Sequence, residues 1–325
     1  MPLVSVVIPA YNAEATLAGT VASAQRQSLA DIEILIVDDA SRDGTLELAR
    51  RLAASDPRIA VIAATRNGGP AVARNRGIAA ARGDWIALLD SDDAFEPGRL
   101  SELVTAAKDC GADLLADNLL LEDEEGRCEP MLPPSETTEC APLTAERFLL
   151  GNLPDPAHPR RSYGFLKPIV SRDFLTRHAL RYDEELRFAE DFAFYLACYS
   201  AGARFCLLQR PLYRYRLRSD SLTARHTTED LRRLQGVDRR LLHLHAAGAS
   251  AGFRAALRRH KRSIDQRLQW RVVIDEVKRG AWIGAVAAGL RGWHVFTYVS
   301  ARLAGEAWRR LGPGRGDGRA KAAET

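Results

Sequence analysis

No uncharged apolar run in the 325-residue chain reaches the ~18 residues that a bilayer-spanning helix needs. The opening MPLVSVVIPAYN has neither a basic leader nor a long apolar segment, so no secretory signal is expected. Cysteine is sparse. Cys110, Cys128, Cys140, Cys198 and Cys206 are odd in number and form no CxxC pair. That spacing argues against a disulfide scaffold or a zinc site and fits a reducing cytoplasm. GxxxxGK[ST] and GxGxxG are both missing, which excludes a P-loop and a dinucleotide fingerprint. No nucleic-acid-binding motif or aromatic–basic repeat occurs, so nucleic acid is not an expected partner.

What is present suits a globular protein with a sizeable core: 46% hydrophobic and 27% charged residues. The net charge of +4 hides an asymmetry. Residues 1–225 carry 26 basic and 33 acidic side chains, and residues 226–325 carry 20 and 9. An acidic part is thus joined to a basic one, which suits an anionic partner for the latter.

Buried-strand patterns at residues 4–9, 32–37, 59–63 and 85–89 alternate with helical patterns at about 15–27, within 41–56 after a polar turn, and at 71–81. This alternation predicts an open α/β sheet with right-handed crossovers. Ligands of such sheets bind beyond the carboxyl ends of strands. Acidic residues sit at two of those ends, Asp38 and Asp39 after the second strand and residues 90–93 (DSDD) after the fourth. Farther on, residues 97–110 read as a helix, 113–121 as a strand, 129–142 as a surface loop, 190–202 as a helix and 205–215 as a strand. Residues 228–311 read as almost wholly helical, and 312–325 have the composition of a disordered tail.

Asp90, Asp92 and Asp93 would repel one another at the end of a buried strand, so they call for a compensating cation. Hard oxygen ligands suit Mg²⁺ or Mn²⁺; a solvated turn is the alternative. Asp38 and Asp39 suit either hydrogen bonds to a base or ribose, or a turn before the next helix. Arg74 and Arg76 lie in a helix opened by two glycines, a pattern that favours anions. Glu190 and Asp191 open an apolar helix, where acidic residues also serve as simple dipole partners. Lys167 and Arg172 suit either an acceptor phosphate or solvent, and His226 is a candidate further metal ligand.

The blocks VSVVIPAYNAEATL, EILIVDDASRDGT, NGGPAVARNRGIAAARGDWIALLDSDD and FAEDFAF resemble the inverting family 2 glycosyltransferases of GT-A fold, over roughly residues 3–218. GFLKPIVSRDFL and YRYRLRSDSLT resemble bacterial exopolysaccharide enzymes of the succinoglycan type. The resemblance implies a GT-A, Rossmann-like, mostly parallel sheet flanked by helices, with a C-terminal helical extension. It implies a catalytic domain over 1–225, with nucleotide-sugar-binding (1–97) and acceptor (98–225) halves, and a basic helical extension over 226–311. In the nucleoside pocket it places Pro9, Tyr11 and Asp38, with Asp39 reading uracil beside Arg74. Asp90 completes the acidic motif, Asp92 approaches ribose and metal, and Asp93 is the principal ligand of Mn²⁺ or Mg²⁺. Asp191 becomes the general base, supported by Glu190, for transfer of a hexose from a UDP-sugar to a glycan or lipid-linked glycan acceptor.

Trp282, Val286, Leu290, Trp293 and Phe296 recur at helical spacing, bracketed by arginines. They suit either peripheral contact with the inner membrane through residues 279–311 or packing on the core. The rival functions are nucleotidyl transfer, and sugar-nucleotide binding without catalysis on the same scaffold.

Overall fold

The computed structural model describes residues 1–133, 140–155, 157–158, 161–217, 227–244, 250–290 and 292–311. The tail at 312–325 and the candidate His226 lie outside them.

In the first 90 residues strands and helices alternate: β1 (Val4–Ala10), α1 (Leu17–Gln25), β2 (Ile32–Asp38), α2 (Thr45–Ser55), β3 (Ile59–Ala63), α3 (Pro70–Ala80) and β4 (Trp85–Leu88). These four strands are parallel, in the spatial order β3-β2-β1-β4. Every residue of β2 and β4 is buried, as continuous apolar runs require when both faces are covered. α3 begins at Pro70, whose missing N–H costs nothing in a first turn, after Gly69 at φ +88°. It lies so close to β1 that a Cβ on Gly77 would fall 2.2 Å from Cγ1 of Val7.

β5 (Ala94–Phe95), α4 (Arg99–Cys110), β6 (Leu114–Glu122), β7 (Cys128–Pro130), β8 (Cys140–Pro142), α5 (Ala145–Leu150), β9 (Ile169–Ser171), α6 (Arg172–Arg177), α7 (Glu190–Ser200) and β10 (Phe205–Arg216) follow. The sheet continues β4-β9-β6-β10-β5, with β7 paired to β6 and β8 to β10. β9 is antiparallel to both neighbours, so it joins the parallel half to the β6–β10 pair. The stretch read from sequence as a loop at 129–142 therefore contributes to two short strands; residues 134–139 lie outside the description.

α8 (Thr228–Leu244) and α9 (Ala251–Lys278) come next, then α10 (Trp282–Gly289) and α11 (Trp293–Leu311). Two compact units divide inside α9, Met1–His260 and the residues from Lys261 on, whereas the change in charge balance falls at residue 225. In the first unit, His260 lies 3.0 Å from the buried Asp238 of α8 and stacks on Phe192 of α7 with ring centroids 4.5 Å apart. α7 is thus supported beside its first turn. In the second unit, Val273, Ala285, Ala288, Val295 and Val299 form a small apolar core. No helix among the described residues is long and apolar enough to cross a membrane.

Candidate active site

The carboxyl ends of β1 and β2 are stapled together by their loops. Asn12 N–H donates to Ser41 Oγ at 3.0 Å, Arg42 N–H to Asn12 Oδ1 at 2.9 Å, and Ala13 N–H to Thr45 Oγ1 at 2.8 Å. Asp39 N–H donates to the carbonyl of Ala10. Asn12 and Ala40 hold left-handed φ values of +50° and +59°, strain that tends to collect at functional sites. The half-exposed Tyr11 follows β1, beyond the partly buried Pro9. Asp38 is fully buried; its Oδ2 accepts from Ser41 N–H, while its Oδ1 has no hydrogen-bond partner. Asp39 accepts from the N–H groups of Gly68 (3.0 Å) and Gly69 (2.7 Å), with Arg76 at 3.6 Å.

The acidic motif leaves β4 and is pinned from behind by α1. The hydroxyl of Thr20 lies 2.9 Å from the carbonyl of Ser91 and 2.8 Å from that of Asp93. Asp93 is only 2% exposed. It accepts from the Tyr213 hydroxyl (2.8 Å) and Arg216 N–H (2.9 Å). Burial, reinforced by the charges of Asp90 and Asp92, pushes its carboxyl well above the usual range. Two hard-oxygen side chains, one of them under the repulsion of its acidic neighbours, form a donor set that fits Mg²⁺ or Mn²⁺. Asp92 and Asp93 are the residues that could hold such an ion.

Asp90 takes a different part. Its Oδ1 meets Arg74 at 3.0 Å and its Oδ2 meets Lys167 at 2.9 Å. The same two cations reach the first turn of α7: Lys167 to Asp191 Oδ2 at 2.7 Å, Arg74 to Glu190 Oε1 at 2.6 Å and to Asp191 Oδ1 at 3.5 Å. Tyr182 donates its hydroxyl to Asp191 Oδ1 at 3.0 Å. Burial opposes the charge on Lys167, but Asp191 and Asp90 outweigh it and raise the ammonium well above its ordinary value. Arg74 is raised in the same way. Burial also opposes ionisation of Asp90, yet Lys167 and Arg74 hold its carboxyl well below the usual range. Residues from three distant segments thus share one charge network. Ala189, immediately before α7, is left-handed at φ +57° and aims that first turn.

Beneath the network lies a fully buried ion pair, Arg99 to Asp117 at 2.6 Å. Arg99 also donates to the backbone carbonyl of Lys167, and its guanidinium lies against the rings of Phe95 and Tyr213. Asp117 accepts from Leu212 N–H at 3.1 Å. The pair thereby fixes the backbone of both Lys167 and the strand carrying Tyr213.

The sequence reading set Arg74 beside Asp39. The structure sets Arg76 there and turns Arg74 to Asp90, Glu190 and Asp191, because positions 74 and 76 face different sides of α3. Lys167, read as either an acceptor contact or exposed, is 4% exposed and spans two carboxylates. Arg172, grouped with it from sequence, bonds instead to the Gly83 carbonyl, at the amino end of β4 and away from the acidic motif. Tyr182 carried no local signal and Tyr213 only its place at the head of the YRYRLRSDSLT block; the fold brings their hydroxyls to Asp191 and Asp93.

The model of the family described as Glycosyl transferase family 2 matches residues 5–160. The succinoglycan biosynthesis protein ExoO of Rhizobium meliloti is 31% identical over 304 residues, spanning 94% of this chain and 86% of its own. ExoU of the same organism is 37% identical over 280 residues, spanning 84% and 78%. Among solved structures, residues 1–349 of S. aureus TarS in complex with UDP-GlcNAc match with a TM-score of 0.64 at 19% identity, over 94% of this chain and 92% of that one. The mannosyltransferase PcManGT of Pyrobaculum calidifontis, in complex with GDP-Man and Mn²⁺, matches at 0.55 and 18%, over 96% and 81%. At these identities the solved structures speak for the fold, which is GT-A. With whole-length relatives above 30% identity and a family model laid across the strands that carry the carboxylates, this chain belongs to glycosyl transferase family 2 and is a glycosyltransferase.

Proposed function

We propose that the protein transfers a hexose from a UDP-sugar to an acceptor hydroxyl, with inversion at the anomeric carbon and with a divalent metal, in exopolysaccharide or other cell-surface glycan synthesis. The observation that carries this reading is the sharing of Lys167 and Arg74 between Asp90, on the donor side, and Asp191, on α7. The names of ExoO and ExoU support the biosynthetic setting, and the UDP-GlcNAc and GDP-Man/Mn²⁺ complexes of structural neighbours support a nucleotide-sugar and a metal.

Tyr11 and Asp39, with Pro9 and Asp38 behind them, would receive the nucleoside. An ion held by Asp92 and Asp93 would neutralise charge on the diphosphate as it leaves. Asp191 would accept the proton of the acceptor hydroxyl while that oxygen attacks C1 from the face opposite UDP. Its two oxygens offer about four lone-pair sites, so the bonds from Lys167 and Tyr182 orient the carboxylate and leave room for that proton. Glu190 would keep Arg74 in place. One displacement needs no covalent enzyme intermediate.

For the acceptor we propose a glycan or lipid-linked glycan, reached at the cytoplasmic face of the membrane. On α10 and just past its end, Trp282, Ile283, Val286 and Leu290 are 60–89% exposed. Positions 282, 286 and 290 follow one another along one helical face, in the basic part of the chain. Such a face suits the interfacial zone of an anionic bilayer.

The test is a screen of nucleotide-sugars for metal-dependent release of UDP, followed by acceptor trials with membrane extracts. Asp191→Asn should abolish transfer while UDP and metal still bind. Undiminished transfer in that variant would remove Asp191 as the base, and release of pyrophosphate would mark nucleotidyl transfer instead.

A further inference from the structure

The sequence spacing argued against a zinc site, but the sheet brings three cysteines together at the end opposite the acidic motif. Cys110 ends α4, Cys140 begins the edge strand β8, and Cys206 lies at the start of β10. Cys140 is paired across from Leu208, two residues beyond Cys206. The three sulfurs lie within 4.8 Å of one another, with Cys140 and Cys110 3.8 Å apart. Cys206 is buried, and the other two are partly so. Seven residues of β10 separate Cys206 from Tyr213, about 23 Å of strand, so the cluster does not belong to the transfer site.

We propose that Cys110, Cys140 and Cys206 bind one Zn²⁺ ion. Zinc–thiolate bonds of about 2.3 Å in a tetrahedral arrangement set the sulfurs ~3.8 Å apart. The cluster already has that separation at one pair and is within about 1 Å of it at the others. Three thiolate sulfurs select a thiophilic ion over Mg²⁺ or Ca²⁺. No fourth His, Cys, Asp or Glu among the described residues joins the group. Binding displaces three thiol protons and forms three Zn–S bonds, and no electron moves. The resulting site carries one net negative charge, and the Arg204 guanidinium beside Cys206 and Gly111 faces it. Because each ligand gives up its proton on binding, zinc uptake weakens as pH falls. The ion clips the end of α4 and the edge strand β8 to β10.

The test uses the full chain, reduced and stripped of metal, titrated with Co²⁺ as the spectroscopic stand-in. The expected result is a sulfur-to-cobalt charge-transfer band that saturates at one equivalent and is displaced by Zn²⁺. An ion at the acidic motif has oxygen ligands and gives no such band. Cys140→Ser, on a partly exposed edge strand, should weaken binding at least ~100-fold, beyond what loss of an outer-shell partner costs. Cys128→Ser, outside the cluster, should leave the band intact. In the wild-type chain, Zn²⁺ should protect Cys110, Cys140 and Cys206 together from alkylation, a readout that does not depend on a variant folding. Absence of the band, its persistence in Cys140→Ser, or a Cys110–Cys140 disulfide that forms equally with and without Zn²⁺ would each overturn the proposal.

Discussion

Replacing Lys167 by methionine keeps the length of the side chain and removes its charge. Asp90 Oδ2 and Asp191 Oδ2 then lose partners at 2.9 and 2.7 Å in a site where the lysine side chain is 5% exposed. Removing one partner of a buried ion pair costs about 3–5 kcal/mol. Arg74 stays 3.0 Å from Asp90 and 3.5 Å from Asp191, which argues for the lower figure, ~3 kcal/mol. Unfolding entropy of about 2.1 cal/mol/K per residue gives the first unit, Met1–His260, roughly 0.55 kcal/mol/K. The midpoint of its calorimetric transition should therefore fall by about 5–6 °C. The pH dependence has a fixed sign. The Lys167 ammonium is raised in the folded state, so its contribution is complete below the unfolded value near ~10.4 and is lost only as pH rises through the higher folded one. The gap between wild type and variant should thus stay level from about pH 6 to 9. Transfer should fall ~100-fold in kcat as Asp191 loses its orientation, with UDP affinity little changed. A variant that melts and turns over like the wild type would show that the bridge holds nothing in place.

Asp93→Asn should cancel the stabilisation expected from Mn²⁺, which for the wild type should be about 2.7 kcal/mol at a hundredfold excess over Kd; differential scanning calorimetry with and without Mn²⁺ reads it as a shift in melting temperature. Tyr182→Phe removes one hydrogen bond to Asp191 and should cost about 1 kcal/mol, measured by urea unfolding. Glu33 accepts from Ser5, Arg82 N–H and the Arg82 guanidinium, and although burial works against it these bonds hold its carboxyl below the usual range. Its contribution is present above the unfolded value of ~4.3 and lost as pH falls through the lowered folded one, so Glu33→Gln should be destabilised by about 1–3 kcal/mol at pH 7 and by little near pH 3 in urea titrations. Gly77→Ala should cost about 1–3 kcal/mol by the same assay, because the new methyl meets Val7 and Val37 across α3.

Much of the donor half was legible in the sequence. Strands β1 to β4 lie within a residue of the apolar runs that announced them, since a strand buried on both faces must be apolar throughout. Asp90, Asp92 and Asp93 could be singled out because position after a strand and local charge density coincide. Lys167 could not. Its importance comes from β9, a three-residue strand with no periodicity to detect, which sets residue 167 between β4 and β6. Arg74 was singled out as a helper of Asp39 in reading the base; its bonds to Asp90, Glu190 and Asp191 were not legible, because the sequence specifies the helix and not which side of it meets α7. The cysteine cluster escaped for a related reason: Cys140 meets Cys206, 66 positions on, only through the pairing of β8 with β10, and Cys110 reaches them from the end of α4.

The Arg99–Asp117 pair has a practical consequence for anyone engineering this enzyme. A fully enclosed ion pair is a standard target for stabilisation, since apolar replacements of similar volume are often neutral or gain about 1–4 kcal/mol. Here such a swap would release the Lys167 carbonyl and the Leu212 amide, loosening the supports behind Asp191, the proposed general base, and the acidic motif at once. Hardier variants selected at positions 99 and 117 should therefore be sluggish ones, a trade between robustness and turnover written into the floor of the cleft.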